Sequence, residues 1–112
     1  MEAILSSPRW FVEKITAADD IVGVLVTEQK ALDHVYLSDF AIDPKVHGKG
    51  YGRTALSQFL KRHERVSRID LLTHENNRTA LRLYGKFGFK RERVIPNAFG
   101  NGQPFLLLAR TA

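Results

Sequence analysis

A chain of 112 residues, 44% hydrophobic and 26% charged, has the size and composition of one globular domain. It is too short for two independent cores, since single domains run ~100–150 residues. Lys and Arg outnumber Asp and Glu by 17 to 12, a net charge of +5, which suits a polyanion and equally a plain solvated surface. No apolar run reaches the ~18 residues of a membrane span, and residues 1–8 lack the basic-then-apolar pattern of a signal peptide. The absence of cysteine excludes disulfides, thiolate metal sites and cysteine nucleophiles. The expectation is one cytoplasmic domain, residues 1–112.

Residues 9–15 are aromatic and β-branched and predict a strand, followed by a turn at Asp19-Asp20. Residues 21–27 are almost all apolar and predict a well-buried second strand, paired with the first as a hairpin. A turn over 29–33 leads to a third strand, 34–42, which Asp43-Pro44 stops, because proline cannot continue a ladder. The pattern then changes period. Leu56, Phe59 and Leu60 fall on one helical face, predicting a helix over about residues 51–65. Residues 68–73 form a short buried strand. Residues 77–87 show Ala80, Leu81, Leu83, Tyr84 and Phe87 at helical spacing, with Gly88 where a left-handed C-terminal residue belongs. Strands over 89–95 and 104–109 flank a loop at 97–102. The order β-β-β-α-β-α-β-β, with helices between strands in the middle and hairpins at the ends, predicts a mixed, mostly antiparallel α/β sheet. It has a central parallel crossover and two main helices.

The first chemical signal is the stretch Asp43-Pro44-Lys45-Val46-His47-Gly48-Lys49-Gly50-Tyr51-Gly52 between strand and helix. Glycines two apart allow tight turns, and exposed amides at a helix start form an anion nest. Lys45, Lys49 and Arg53 add positive charge. A phosphate or pyrophosphate site fits this stretch; so does a glycine-rich surface turn. The spacing is neither that of a P-loop nor that of a dinucleotide fingerprint.

The second signal is Asn77-Arg78-Thr79-Ala80-Leu81-Arg82-Leu83-Tyr84-Gly85-Lys86-Phe87-Gly88-Phe89. Together, Gly-x-Gly-x-Gly after a strand and Asn-x-x-Ala-x-x-Leu-Tyr-x-x-x-Gly-Phe resemble the two signature motifs of the GCN5-related N-acetyltransferases, over roughly residues 9–110. The chain departs from that pattern at His47, where members usually carry Arg or Gln. It also has only eight residues before Arg9, where the family normally opens with a strand and two helices that wall the acceptor site. The coenzyme half thus reads as complete and the acceptor half as shortened.

The resemblance implies acetyl-CoA as co-substrate. Its pyrophosphate would lie on the backbone of His47, Gly48, Lys49, Gly50, Tyr51, Gly52 and Arg53. The backbone of Ile42 would pair with the pantetheine, the Phe40 amide would polarise the thioester carbonyl, and the Asn77 side chain would reach the pantetheine arm. Asn77 also reads as a helix N-cap. Tyr84 stands at the general-acid position, where a phenol can protonate the departing thiolate; it also reads as part of the apolar stripe of its helix. The base is open. Tyr36, at the register where some members carry a Glu, is no base at neutral pH. Asp39, Ser38 and His34 are nearby, a water chain serves as well, and Asp39 shares its alternation with Leu37 and Ala41, which turns it to the other face. His74 and Glu75 lie just past a strand near the acceptor side, or in a solvated loop. The four histidines show no metal-ligand spacing.

The leading expectation is an N-acetyltransferase acting on a primary amine of a small molecule or peptide. A coenzyme-binding or regulatory module without turnover is the alternative. Nucleic-acid binding through Lys61, Arg62, Arg65, Arg68, Lys90, Arg91 and Arg93 lacks the aromatic stacking residues that would accompany it. The apolar second strand, with Trp10 and Phe11, suggests a surface that a homodimer would cover.

Overall fold

The computed structural model describes residues 9–111; the reading of residues 1–8 lies outside that range. Six strands form one sheet, with β1 (Trp10–Ala17), β2 (Asp20–Ala31), β3 (His34–Ile42), β4 (Arg68–Thr73), β5 (Lys90–Ile95) and β6 (Phe105–Thr111). Their spatial order is β1-β2-β3-β4-β6-β5. Every neighbouring pair is antiparallel except β3 and β4. The crossover between these two carries a 3-10 turn (Pro44–Val46) and α1 (Tyr51–Arg62). Helix α2 (Arg78–Lys86) joins β4 to β5. The expected order and sheet type are those observed.

Both helices lie against one face of the sheet. Leu56, Phe59 and Leu60 of α1 and Tyr84 of α2 join one core with Leu25, Val35, Leu37, Ile69, Leu71, Leu106 and Leu108. Leu56 and Phe59 are wholly buried, and burial of such a side chain contributes ~1.5–3 kcal/mol. The other face has no helix on it among the described residues. This corrects the expectation for β2, which is not buried throughout: Val22 and Leu25 are buried, Val24 and Val26 are half-buried, and Ile21 is 59% exposed. Helix α1 stops at Arg62, three residues before the predicted end. There His63 folds back, its backbone N–H bonding to the carbonyls of Phe59 and Leu60 and its Nδ1 bonding to the Phe59 carbonyl at 2.9 Å.

Two features of β3 set the functional site. It pairs with β4 only from His34 to Tyr36 and then leaves it, so among the described residues the edge from Leu37 to Ile42 on that side has no strand beside it. It also carries a bulge. Val26 faces Asp39 while Thr27 faces Leu37, so Ser38 is an extra residue without a partner, and such a residue bends the strand and resets its alternation. Residues directly opposite in a ladder point to the same face. Tyr36 (opposite Glu28) and Asp39 (opposite Val26) therefore share one face, with Leu37 and Phe40 on the other. The alternation that grouped Asp39 with Leu37 is broken by the bulge.

Candidate active site

The open edge of β3 forms one wall of a groove of about 810 Å³. The other walls are the loop through His47, Gly48 and Gly50, the first turn of α1 with Tyr51, Gly52 and Arg53, and the face of α2 that carries Asn77, Ala80 and Tyr84. Thus two stretches at least 24 positions apart in sequence, ending at Arg53 and starting at Asn77, converge on one space. Of the eleven residues to which the resemblance gives a role, ten line it and Lys49 does not; the base candidate Asp39 does not line it either. Lys49 is exposed on the loop.

Along β3 the groove presents main-chain groups. Asp43 donates its N–H to the Val22 carbonyl at 2.7 Å, so Asp43 faces β2. In an antiparallel pair, successive residues alternate between facing the partner and facing away. Ala41 therefore faces β2, whereas Ile42 and Phe40 turn their N–H and C=O groups to the open edge. His47 gives independent support: its Nε2 lies 2.8 Å from the Ile42 carbonyl. A carbonyl only accepts, so the ring donates from Nε2. In this chain the residue at the usual Arg or Gln position thus caps the groove edge of β3.

At the far end, Gly48 and Gly50 take φ of 85° and 84°, a region in which a Cβ is strained. Gly50 is the N-cap of α1 and offers no side-chain oxygen to the first turn. The amides that begin α1 therefore point outward at the positive end of the helix dipole. Among the described residues none that lines the groove is acidic, and Arg53, Arg82 and Lys86 are all there. The sequence reading missed Arg82 and Lys86. Their signal was a spacing of four on α2, which puts both on the face that carries Thr79. Backbone donors, a helix N-terminus and three cations suit a long, phosphate-bearing ligand.

A smaller cavity of about 270 Å³ abuts the groove. It shares Phe40, Asn77, Ala80 and Tyr84 with the groove and adds Ser38, Asp39, His74 and Phe105. Asn77 caps α2 through Oδ1, which accepts from the Ala80 N–H at 3.1 Å; its amide nitrogen is left to donate. Both roles expected of Asn77 are compatible. Tyr84 stands at the junction, 7% exposed, with Phe89 edge-on at 5.4 Å. Burial pushes its phenol up to about 12, so it is a neutral donor throughout the neutral range. It is not stranded in the core, since no buried side-chain N or O atom among the described residues lacks a hydrogen bond.

Of the proposed bases, Asp39, Ser38 and His74 gather here, with Ser38 Oγ donating to Asp39 Oδ2 at 3.1 Å. His34 does not; its Nε2 bonds to Asp70 at 3.0 Å at the other end of β3. Glu75 lines neither cavity. Two members of the basic set considered for nucleic acid are engaged in ion pairs, Arg62 with Glu13 at 2.6 Å and Arg68 with Asp70 and Glu92. No helix among the described residues is long and apolar enough to cross a membrane.

Known proteins carry the same architecture. The spermine/spermidine N(1)-acetyltransferase of Bacillus subtilis is 44% identical over 59 residues, which is 50% of this chain and 39% of that protein. The chain spans well under half the length of the curated relatives it matches. The ribosomal-protein-S18-alanine N-acetyltransferase from Escherichia coli superimposes with a TM-score of 0.82 at 22% identity, over 98% of this chain and 74% of that one. A GNAT family acetyltransferase from Elizabethkingia anophelis, with acetyl-CoA bound, gives 0.84 at 18% identity, over 93% and 77%. These two likenesses bear on the fold. The sequence model of the acetyltransferase (GNAT) family matches residues 2–89, and with a match across most of its length the chain belongs to that family.

Proposed function

We propose that the chain binds acetyl-CoA in the groove and transfers its acetyl group to a primary amine that enters the smaller cavity. The observation that carries this reading is the departure of β3 from β4 after Tyr36. It frees the Phe40 and Ile42 amides as donors toward a groove lined by cations and by no acid.

Acetyl-CoA supplies an activated thioester. The amides of residues 47–53, at the start of α1, hold its pyrophosphate, with Arg53, Arg82 and Lys86 in attendance. Ile42 and the Asn77 amide nitrogen hold the pantetheine arm. The Phe40 N–H donates to the thioester oxygen, where charge develops during attack; a preorganised donor at that point stabilises the transition state more than the ground state. Tyr84, kept neutral by burial, donates to the sulfur as it leaves. Asp39, exposed at the bulge, supplies negative charge where a cationic acceptor approaches.

Among amines, an alkyl polyamine is the acceptor that the match to the Bacillus subtilis enzyme supports. The open sheet face, with Val24 and Val26 half-buried and Val12 66% exposed, supports a second copy of the chain as partner.

Titration calorimetry with acetyl-CoA, paired with thiol release over spermidine, small alkylamines and peptide amines, tests the reading. Binding with turnover on at least one amine is the expected result. Binding without turnover on any of them replaces it with a coenzyme-binding module.

A further inference from the structure

We propose that His74 is the proton acceptor for the incoming amine, an assignment that rests on the acetyl-transfer reading above. His74 is the first residue after β4, is exposed, and lines the smaller cavity together with Asp39 and Tyr84. Its ring is held in place. It stacks on Phe105 of β6 with centroids 4.2 Å apart and planes tilted by 36°, and Phe105 is in turn edge-on to Phe99 at 4.8 Å. Its carbonyl accepts from the Asn77 N–H at 3.0 Å. The turn that positions His74 therefore ends at the cap of α2, the helix that carries Tyr84. One short segment fixes both groups on the two sides of the cavity.

The chemistry needs such a group. An alkylamine is mostly protonated at pH 7, with a pKa near ~10.4, and an ammonium has no lone pair with which to attack. Among the described residues, the ionisable groups that line the cavity with His74 are Asp39 on β3 and Tyr84 on α2; Glu75 follows it in the chain and is exposed. A carboxylate, with an ordinary pKa of ~4, is a poor proton acceptor from an ammonium, and a neutral phenol is a donor. Imidazole is the side chain suited to accept a proton at neutral pH. The ammonium gives one proton to His74, which releases it to solvent from its exposed position. The freed lone pair forms the C–N bond at the thioester carbon, and the C–S bond breaks with its electron pair on sulfur. The thiolate takes the Tyr84 proton, and the second proton of the original ammonium restores the phenol through water. One amide, one thiol and one solvent proton are the balance.

The test compares the wild type with His74→Gln and His74→Phe. The Phe variant keeps an aromatic ring on Phe105 and removes the base. Two acceptors are used: spermidine, which is protonated at neutral pH, and 2,2,2-trifluoroethylamine, which is not. Both variants are expected to lose about 10²-fold in kcat/KM on spermidine at pH 7. Their rates should keep climbing with pH where the wild type levels off. On trifluoroethylamine, and in acetyl-CoA affinity, they should match the wild type within a few-fold. Wild-type activity in His74→Phe, an unchanged pH profile, or equal losses on the two amines overturns the assignment alone. A wild type that binds acetyl-CoA and turns over neither of these amines nor any peptide amine overturns it together with the acetyl-transfer reading.

Discussion

The groove and the smaller cavity meet at Tyr84 but are built from different material. The groove is framed by backbone: a strand edge released by its neighbour, a loop through two left-handed glycines, and the bare amides of a helix start. The cavity is mainly side chain, drawn from the bulge of β3, the end of β4 and the start of β6. A backbone site depends on conformation and tolerates change at most of its positions. A side-chain site depends on register, so one extra residue in β3 decides which groups it holds. In the proposed acyl transfer, the first arrangement would serve the coenzyme and the second the acceptor.

Tyr84→Phe tests the junction and should have the largest effect. It is expected to leave acetyl-CoA affinity unchanged and to lower kcat by ~10²–10⁴-fold, the usual contribution of general acid catalysis. Equal kcat in the two proteins, with chemistry rate-limiting, would make Tyr84 a core residue only.

Gly50→Val tests the backbone side. A β-branched residue at φ 84° is strained by roughly 1–2 kcal/mol and brings its branches to the amides proposed to hold the phosphate. Calorimetry should show at least about a tenfold loss of CoA affinity, equivalent to ~1.4 kcal/mol. Equal affinity would place the phosphate elsewhere.

Arg82→Ala should weaken CoA binding by a few-fold and make it less sensitive to salt. Exposed charges contribute about 1 kcal/mol or less, and salt screens them. An unchanged salt dependence would remove Arg82 from the groove's electrostatics.

The smallest effect lies outside both cavities. Arg68 grips Glu92 with two bonds of 2.7 Å, and this holds the Glu92 carboxyl below its ordinary range. The folded state thus binds that proton less tightly than the unfolded one. The stability that results is present above the unfolded pKa and is lost as pH falls through the folded one. Glu92→Gln should flatten the acid fall of the urea midpoint without touching CoA affinity at pH 7. A parallel acid fall in the two proteins would show that the pair is silent.

The same contrast explains what could be read from the chain alone. The element order followed from periodicity. The glycine loop of the groove followed from residue spacing, because backbone conformation leaves a residue-type signature, and its α2 wall from the resemblance carried by the Asn77–Phe89 run. The bulge at Ser38 left none: it has no glycine or proline, and only the ladder with β2 reveals it. Asp39 was accordingly assigned to the wrong alternation. His74 was noticed for its place after a strand, but its stacking on Phe105 joins residues 31 positions apart and has no local trace. The cap that His47 places on the Ile42 carbonyl was equally hidden, since it depends on how the 3-10 turn folds the loop back.

Amide hydrogen exchange at β3, with and without acetyl-CoA, tests the central claim most directly. Ala41 and Asp43 face β2 and should be protected in both states. Phe40 and Ile42 face the open edge; they should exchange fast in the free protein and become protected in the complex, together with the amides that begin α1. Protection of Phe40 and Ile42 before acetyl-CoA is added, or no gain when it is bound, would contradict the account.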